Sequence, residues 1–561
     1  MFMLLRKGAG YELKLSLVSR RDERNSLTRL GYGFTYRENT NVKNGFLTTL
    51  AKKCNTLTQL KQLHAHILRC RVKHTPFAIA PLLSAAASSN HFSYAYSIFS
   101  THHLIHRNTF MYNTMIRAYL QQAHSPLSAI SCYVSMLRNA IAVNNYTFPP
   151  LIKACIARND AVVGRLVHGH VVHFGYCEDP FVLSGLIEFY SALCHVDTAR
   201  LLFDRAMTKD VVVWTAMIDG YGKTGNCEHA RKLFDEMPER NVISWSAMMA
   251  TYSRVSDFRE VLALFGDMQN EGIRPNESIL VTVLTACAHL GALTQGIWVH
   301  AYAVGSKLES NSILATALVD MYSKCGCVEA ALSVFDRIAS KDAGAWNAMI
   351  SGVALNGDAR KSLELFRQMV ACGTKPTETT FVAVLTACTH AKMVKEGLQL
   401  FDEMSSIYGV VPQLEHYACV IDLLSRAGMV EEAEKFVEEK MGGLATGDAN
   451  VWGALLNACR IHKNLDVGNR VWKKLLDIGV ADCGTHVLTY NIYREAGCDA
   501  EANRVRSRIS EAGMQKKPGC SIIEVNNEVE EFLAGDHSHP QAQEMWKLLD
   551  SIFKISNLET L

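Results

Sequence analysis

The stretch WTAMIDGYGKTGNCEHARKLFDEM, residues 214–237, contains two apolar patterns separated by a turn. Met217 and Tyr221 in the first pattern, and the apolar residues of 230–237 in the second, recur at the spacing of amphipathic helices. Gly225 lies between the patterns, where a helix must end. The stretch therefore predicts two short helices joined by a turn.

The same stretch contains residues 220–224, Gly-Tyr-Gly-Lys-Thr, which resemble part of a phosphate-binding loop. Such a loop needs a further glycine five residues before Gly222, where this chain has Met217, and it follows a strand. Because the surrounding pattern is helical, we interpret Gly222 and Lys223 as the end of the first helix and exclude a nucleotide site here.

The helical hairpin recurs along the chain. Three tryptophans are each followed by a Phe after 20 residues and a Met after 23 residues: Trp214, Trp245 and Trp346. Cysteines separated by 101, 132 and 101 residues mark a second kind of hairpin: Cys54, Cys155, Cys287 and Cys388. A spacing of 101 fits units of 35, 35 and 31 residues in a fixed order, and 132 fits that order with one further 31-residue unit. A fixed period of this length predicts a repeat array.

Composition narrows the class of protein. The 561 residues are 48% hydrophobic, so most of the chain can bury apolar surface and fold. The net charge of +2 does not support a protein that is held on nucleic acid chiefly by neutralising phosphates. No apolar run is long enough to span a bilayer. The 17 cysteines form no Cys-x-x-Cys pair, which favours reduced thiols over a disulfide framework and gives Cys325 and Cys327 no zinc-like partner pair.

Two of the marker cysteines are followed by a histidine after thirteen residues, Cys155 by His168 and Cys287 by His300. A Cys and a His could belong to a metal site, or they could simply pack in the repeat. We favour packing, and we expect neither a metal nor a cofactor.

The alternation of unit lengths and the text of the units resemble the PLS class of plant pentatricopeptide repeat (PPR) proteins. VVVWTAMIDGYGKTGNCEHARKLFDEMPERN resembles a short S unit, AGAWNAMISGVALNGDARKSLELFRQMVACGTKPT a P unit and ESILVTVLTACAHLGALTQGIWVHAYAVGSKLESN an L unit. The resemblance covers roughly residues 44 to 540. It implies an all-α fold, a right-handed superhelical solenoid of helix-turn-helix repeats, with about twelve repeats in residues 44–448. The units are 44–75, 76–108, 109–144, 145–179, 180–210, 211–241, 242–276, 277–311, 312–342, 343–377, 378–413 and 414–448.

The residues after the array resemble the C-terminal extensions of this family. Residues 449–519 resemble the two E motifs, as degenerate helical repeats, and residues 520–561 contain an E+ segment and a terminal helix. Within the E+ segment, the alternation of Ile523, Val525, Val529 and Phe532 around Asn526-Asn527 predicts a small β-hairpin. This segment departs from the family pattern at Ile522, often Trp, and at Glu530, often His.

Full-length relatives continue into a DYW cytidine-deaminase domain, whose zinc is bound through His-x-Glu and Cys-x-x-Cys motifs. This sequence contains neither motif, although residues 537–539 read His-Ser-His. We therefore expect no enzyme activity and no catalytic residues. The resemblance implies a site-recognition factor for organellar C-to-U RNA editing that recruits a deaminase-bearing PPR protein or other editing factors through residues 449–561.

PPR repeats read one base of single-stranded RNA per unit with two or three side chains. In this family the fifth and last residues of a unit select the base. Carried over to this chain, the resemblance implies a base for each of six pairs. These are a pyrimidine for Asn113 with Asn144, G for Ser184 with Asp210, A for Thr215 with Asn241, A for Ser246 with Asn276, G for Thr316 with Asp342, and a pyrimidine for Asn347 with Thr377. Second-position residues would clamp the bases by apolar contact, or would be ordinary contacts between hairpins: Phe110, Val212, Ile243 and Ile313.

Pro149, Val281, Val382 and Ala418 stand at fifth positions and cannot bond a base edge, so their bases stay open. With family polarity the implied RNA is 5′-Y-x-G-A-A-x-G-Y-x-x-3′. The edited cytidine is expected about four nucleotides beyond the base of the last unit, by the same resemblance.

Residues 1–43 precede the repeats and are interpreted as an organelle transit peptide or disordered N-terminus. The first 40 residues contain eight Lys or Arg and four acidic residues. The arginine content favours the mitochondrion, with the chloroplast as the alternative. Two other functions stay open: an RNA-binding factor for transcript stability or processing without editing, and a protein-binding scaffold similar to tetratricopeptide repeats.

Overall fold

A computed structural model describes residues 3–7, 10–14, 50–51, 53–54, 56–69, 76–101, 107–121, 124–308, 311–441, 449–479, 481–514, 519–525, 528–534, 536 and 538–559. The chain forms two compact units, residues 1–193 and 194–561. In the predicted N-terminal segment, strands β1 (Met3–Lys7) and β2 (Gly10–Lys14) pair antiparallel, and the remainder up to residue 43 lies outside the described residues.

The repeat region is an all-α solenoid of helical hairpins, as predicted. The first helices of the hairpins are α2 (Pro76–Ser88), α4 (Thr109–Gln121), α6 (Phe148–Arg158), α8 (Pro180–Ala192), α10 (Val211–Lys223), α12 (Val242–Arg254), α14 (Glu277–Leu290), α16 (Ser312–Lys324), α18 (Ala343–Leu355), α20 (Glu378–His390), α22 (Leu414–Arg426), α24 (Ala449–Ile461) and α26 (Cys483–Glu495). The second helices are α1 (Leu57–Arg69), α3 (Phe92–Thr101), α5 (Pro126–Arg138), α7 (Ala161–His173), α9 (Val196–Arg205), α11 (Cys227–Glu236), α13 (Phe258–Asn270), α15 (Leu293–Gly305), α17 (Val328–Arg337), α19 (Ala359–Ala371), α21 (Val394–Ser406), α23 (Val430–Phe436, continued by a π turn at Val437–Met441), α25 (Leu465–Ile478) and α27 (Asp499–Glu511).

Several turns between the two helices of a hairpin use a glycine in the left-handed region, whereas others place a residue such as Cys194 (φ +60°) or Ser256 (φ +62°) there. Gly225 has φ of +75° between α10 and α11, and Gly357 has φ of +89° between α18 and α19. A side chain at such a φ is strained, which explains why glycine marks these turns. Gly220 and Gly222 lie inside α10, and Thr224 is its C-cap, so this stretch is a helix end and not a phosphate-binding loop.

The core joins neighbouring units through one aromatic pair that recurs. Phe203 contacts Trp214 with ring centroids 4.9 Å apart, and Phe335 contacts Trp346 at the same distance. Phe234 and Trp245 form the third such pair, at 4.8 Å, and all three pairs meet edge to face. In each pair the Phe lies on the second helix of one unit and the Trp on the first helix of the next. The Trp and Phe spaced 20 residues apart in the sequence therefore serve two different interfaces.

Successive first helices approach closely where one of them carries a glycine. A Cβ atom added at Gly352 in α18 would lie 2.1 Å from the Oγ and 2.4 Å from the Cβ of Ser323 in α16. Ser323 is buried, so its side chain has no open space to move into. Gly352 is consequently required by the helix–helix contact and not by a turn.

Gly352→Ala is therefore expected to destabilise the protein by about 1–3 kcal/mol, because α16 and α18 must separate to accept the methyl group. The matched control is Gly266→Ala in the middle of α13, where an added Cβ meets nothing within 4 Å. The control should be stabilising by about 0.5–1 kcal/mol, since alanine favours helix over glycine. Urea unfolding followed by circular dichroism measures both, and equal midpoints for the two variants would contradict the close contact.

The C-terminal region confirms the predicted hairpin. Strands β3 (Cys520–Val525) and β4 (Glu528–Leu533) pair antiparallel, with Val525 opposite Glu528, and the turn at 526–527 lies outside the described residues. The hairpin contacts the array, because Glu524 Oε2 accepts a hydrogen bond from the Thr294 amide (3.3 Å) and Glu531 pairs with Arg259 (3.4 Å). Helix α28 (Ala542–Glu559) follows. None of the helices in the described ranges combines the length and apolar character needed to cross a bilayer.

Candidate nucleic-acid interface

In five of the six predicted pairs the last residue of the unit is the N-cap of the next first helix; the exception is Asn144, since Thr147 is the N-cap of α6. Asn241 Oδ1 accepts hydrogen bonds from the amides of Ile243 (3.0 Å) and Ser244 (3.1 Å) at the start of α12. The other Asn and Asp residues predicted beside a Ser or Thr do the same with one amide each: Asp210 with Val213, Asn276 with Ile279, and Asp342 with Ala345. Capping commits one side-chain oxygen, so Asn has only its Nδ2 donor left and Asp has a second acceptor.

Two fifth-position threonines donate their hydroxyl proton to the backbone of their own helix. Thr215 Oγ1 donates to the Val211 carbonyl (2.6 Å) and Thr316 Oγ1 to the Ser312 carbonyl (2.8 Å). With the proton used in this way, each hydroxyl has only acceptor capacity left. Both residues, and Ser246 likewise, are partly exposed on the first helix.

Two predicted pairs contain an asparagine at the fifth position, and their members bond to each other. Asn113 Nδ2 donates to Asn144 Oδ1 (2.9 Å), and Asn347 Nδ2 donates to Thr377 Oγ1 (3.1 Å). The structure thus brings together positions that are 31 and 30 residues apart in the sequence. Asn113 is only 3% exposed, whereas Asn347 is partly exposed.

The two members of the remaining pair, Ser184 and Asp210, belong to different compact units. Ser184 belongs to the first unit and donates its hydroxyl to the Phe181 carbonyl (3.1 Å). Asp210 belongs to the second unit and caps α10.

Several units have an exposed apolar side chain at their second position. All four predicted clamp residues are exposed: Phe110 to 50%, Val212 to 42%, Ile243 to 64% and Ile313 to 67%. Two residues at the same register were missed by the sequence reasoning, Tyr146 and Phe181, which are 63% and 60% exposed. Counting from the first residue of each unit would have found them.

Ion pairs lie further along the first helices. Their members stand four and eight residues after the fifth residue of the repeat unit. Asp219 Oδ2 contacts Lys223 Nζ at 2.9 Å, and its Oδ1 contacts Arg254 of the next first helix at 2.8 Å. Asp320 with Lys324 and Asp422 with Arg426 repeat the first contact at 2.9 Å. Burial alone would raise the pKa of Asp219, but the hydrogen bonds and charges of Lys223 and Arg254 outweigh burial and hold that pKa below its usual value. Sequence reasoning did not identify these pairs, although their i,i+4 spacing was visible.

The marker Cys and His residues have packing partners. His168 Nδ1 lies 2.8 Å from the Tyr190 hydroxyl, and His300 Nδ1 lies 2.8 Å from the Tyr322 hydroxyl. Burial lowers the pKa of His168 and raises the pKa of Cys155 to about 11 and that of Cys287 to about 12. A His hydrogen-bonded to a Tyr and a buried thiol are typical of packing. In the part of the chain that the structure describes, no group of three or more His, Cys, Asp or Glu residues could hold a metal ion.

Comparison with known proteins agrees with this architecture. The profile of the PPR repeat matches residues 212–242, 243–273, 314–342, 379–407 and 415–440, and that of the PPR repeat family matches 341–390. A pentatricopeptide repeat-containing protein of Arabidopsis thaliana is 44% identical over 504 residues, which cover 89% of this chain and 80% of the relative. The chain belongs to the pentatricopeptide repeat family. It is of the PLS class and carries the E motif, whose profile matches residues 462–524.

Other PPR proteins are similar over nearly the same length. The Arabidopsis thaliana pentatricopeptide repeat-containing protein ELI1, chloroplastic, is 39% identical over 509 residues, covering 90% of this chain and 79% of the relative. A putative chloroplastic PPR protein of the same plant is 40% identical over 509 residues, covering 91% and 92%. The crystal structure of the pentatricopeptide repeat protein PPR10 from maize is similar with a TM-score of 0.47 and 15% identity, covering 83% of this chain and 78% of that chain.

Proposed function

We propose that this protein binds single-stranded organellar RNA sequence-specifically and serves as the site-recognition factor for C-to-U editing, with the deaminase recruited in trans. The observation that carries the proposal is the arrangement of hydrogen-bond donors and acceptors in the pairs. Thr215 and Ser246 offer a hydroxyl, while Asn241 and Asn276 offer an amide donor because capping occupies their Oδ1 atoms.

An acceptor beside a donor is complementary to adenine, whose Watson–Crick edge has the N6 donor and the N1 acceptor. Thr316 with Asp342 instead offers two acceptors, which suit the N1–H and N2–H donors of guanine. The hydrogen bonds of the helix ends thus supply a physical reason for the bases that the family resemblance implies.

Asparagine at the fifth position supports a pyrimidine. The Watson–Crick edge of a pyrimidine lies nearer its sugar than that of a purine, so a longer side chain is needed to reach it. Asn113 and Asn347 are longer than the Ser and Thr of the other pairs, and both direct an amide donor at their partner. The proposed target remains 5′-Y-x-G-A-A-x-G-Y-x-x-3′.

Apolar and basic side chains complete the proposed RNA surface. The exposed second-position residues, including Tyr146 and Phe181, offer faces on which bases can stack or pack. Lys223 and Arg254 would bind phosphates, but Asp219 already neutralises them in part. Binding should therefore rely on base recognition more than on charge, in agreement with the net charge of +2.

Recruitment of a deaminase is proposed for residues 449–561. The E-motif match supports it, and so does the exposed apolar surface at the end of that motif and beyond it. Ile523 in β3 is 52% exposed, and Leu549 and Phe553 on α28 are 44% and 64% exposed. Apolar patches of this kind are typical of protein–protein contacts. The proposed compartment is the mitochondrion, with the chloroplast as the alternative, since two similar relatives are named chloroplastic.

Two RNAs test the proposal against the full-length chain. One contains the proposed string with cytidine as Y, and the other has G-G in place of the central A-A. We expect the first RNA to bind at least about thirtyfold more tightly, because the second RNA places two mismatched bases against the A-type pairs and each mismatch typically costs about 1–3 kcal/mol. Equal binding to both RNAs would rule out base recognition by the A-type pairs and would favour a protein-binding scaffold.

Sequencing organellar cDNA from plants that lack the gene tests the editing step. The expected result is the loss of C-to-U conversion at one or a few sites preceded by the string. Changes in transcript ends or abundance with unchanged editing would instead support a role in transcript stability or processing.

A further inference from the structure

We propose that Thr147 and Thr380 determine the base specificity of two pairs, although neither threonine is a member of a base-reading pair. They do so by fixing the orientation of the Asn113 and Asn347 side-chain amides. The proposal rests on the proposed RNA-binding function and adds a third residue to two of its pairs. Each threonine is the third residue after the last residue of the unit, on the first turn of the following helix or just before it. Both are fully buried, at 0% exposure.

At the later pair, a chain of hydrogen bonds runs from the backbone to the amide. The Thr377 backbone N–H donates to Thr380 Oγ1 at 2.9 Å, and Thr380 Oγ1 donates to Asn347 Oδ1 at 2.5 Å. Asn347 Nδ2 then donates to Thr377 Oγ1 at 3.1 Å. The backbone N–H can only donate, so it occupies a lone pair of the Thr380 oxygen. The threonine proton is directed to the Asn347 carbonyl oxygen, which is nearer than the Thr377 oxygen at 3.2 Å.

The same chain occurs independently in the other compact unit. The Asn144 N–H donates to Thr147 Oγ1 (3.2 Å), and Thr147 Oγ1 donates to Asn113 Oδ1 (2.9 Å). Asn113 Nδ2 donates to Asn144 Oδ1 (2.9 Å). Two units with different last residues, Asn144 and Thr377, therefore use one arrangement.

Pairs with Ser or Thr at the fifth position lack this arrangement. The residue corresponding to Thr380 is then Val213, Ile279 or Ala345, which have no hydroxyl. Behind Thr215 and Asn241 it is Ser244, whose hydroxyl bonds the Asn241 backbone instead. The buried threonine accompanies asparagine at the fifth position, which is the side chain whose orientation needs to be fixed.

An asparagine amide that is free to rotate can present either its donor or its acceptor, because a half-turn exchanges the two ends. The threonine hydroxyl selects Oδ1 for the buried side, so Nδ2 is directed to the last residue of the unit and keeps one further hydrogen. The pair therefore offers a donor, which suits the O2 acceptor that both pyrimidines share or the N3 acceptor of cytosine. Without the hydroxyl, both orientations become available and the base preference should broaden.

The test uses the full-length chain and four RNAs that differ only in the base assigned to residues 343–377. We expect wild type to favour C or U over A or G by about tenfold, the usual cost of one mismatch. Thr380→Val, which keeps the shape and removes the hydroxyl, should reduce that ratio below about twofold, and Thr380→Ser should retain it. Thr147→Val should have the same effect at the base assigned to residues 109–144.

Thr251→Val is the matched control, since Thr251 is also fully buried but donates to the Ala247 carbonyl of its own helix. The preference for A over G at the Thr215–Asn241 unit is measured in every variant. If that preference persists while Thr380→Val keeps the wild-type pyrimidine ratio, the inference is overturned and the proposed function stands. If Thr251→Val lowers the pyrimidine ratio equally, the effect is general destabilisation and the inference is overturned as well. A wild type without any base preference would overturn both.

Discussion

Replacing Asn241 and Asn276 by Asp together is expected to change the preferred central bases from A-A to G-G. Each substitution keeps the cap oxygen and replaces the remaining amide donor by a carboxylate acceptor. The N1 acceptor of adenine then faces another acceptor, which is unfavourable, whereas the N1–H donor of guanine gains an acceptor as its partner. Two mismatches at about 1–3 kcal/mol each predict a loss of affinity for the A-A RNA of about thirtyfold or more, together with tight binding to the G-G RNA, which the wild type binds weakly.

The folded state should tolerate this change, because Asp and Asn are comparable N-caps and a carboxylate is favourable at a helix N-terminus. Asn226→Asp is the matched control, since Asn226 caps the second helix α11 through the His229 amide and belongs to no proposed pair. Direct titration of the full-length variants with both RNAs measures the effect. Loss of binding to both RNAs, or no change in preference, would contradict the assignment of these pairs.

Trp346→Ala is expected to destabilise the array by about 3–5 kcal/mol, the usual cost of removing a large buried aromatic side chain. Trp346 is 4% exposed and its ring meets Phe335 of the preceding unit at 74°. Because a unit of a solenoid is stabilised chiefly by its neighbours, the loss should weaken the interface between residues 312–342 and 343–377.

Urea unfolding of Trp346→Ala and the conservative Trp346→Phe measures this effect. The Phe variant retains an aromatic contact with Phe335 and should lose clearly less stability. Combining Trp346→Ala with Phe335→Ala should reveal a coupling of about 0.5–1.5 kcal/mol beyond the separate effects. Additive losses would mean that the two rings do not stabilise each other.

Much of the fold follows from local signals. The helices of residues 211–236 were predicted from apolar spacing, and the turn from Gly225, because both properties are set within a few residues. The hairpin of residues 520–533 was likewise predicted from its alternation. The candidate reading positions follow from the repeat register, since in each of the six predicted pairs the fifth residue of the unit is also the fifth residue of its first helix.

What the sequence did not predict involves residues from different units. The last residue of a unit was interpreted only as a base reader, although its cap bonds, such as that of Asp342 to the Ala345 amide (2.9 Å), give Asn and Asp a structural reason to be there. Neither the contact of Arg254 with Asp219 nor that of Glu524 with the Thr294 amide could be read from local spacing.

By itself the sequence determined the class of fold, the helical hairpins and the C-terminal β-hairpin, because periodicity and turn chemistry act locally. The bounds of the units and the base-reading positions are predictions from the same periodicity. Only the tertiary structure decided that Phe335 packs on Trp346 of the next unit, that Gly352 must lack a side chain and that Thr380 orients Asn347. Those relations depend on how neighbouring hairpins stack, and stacking brings together side chains about one repeat apart whose distance no local pattern encodes.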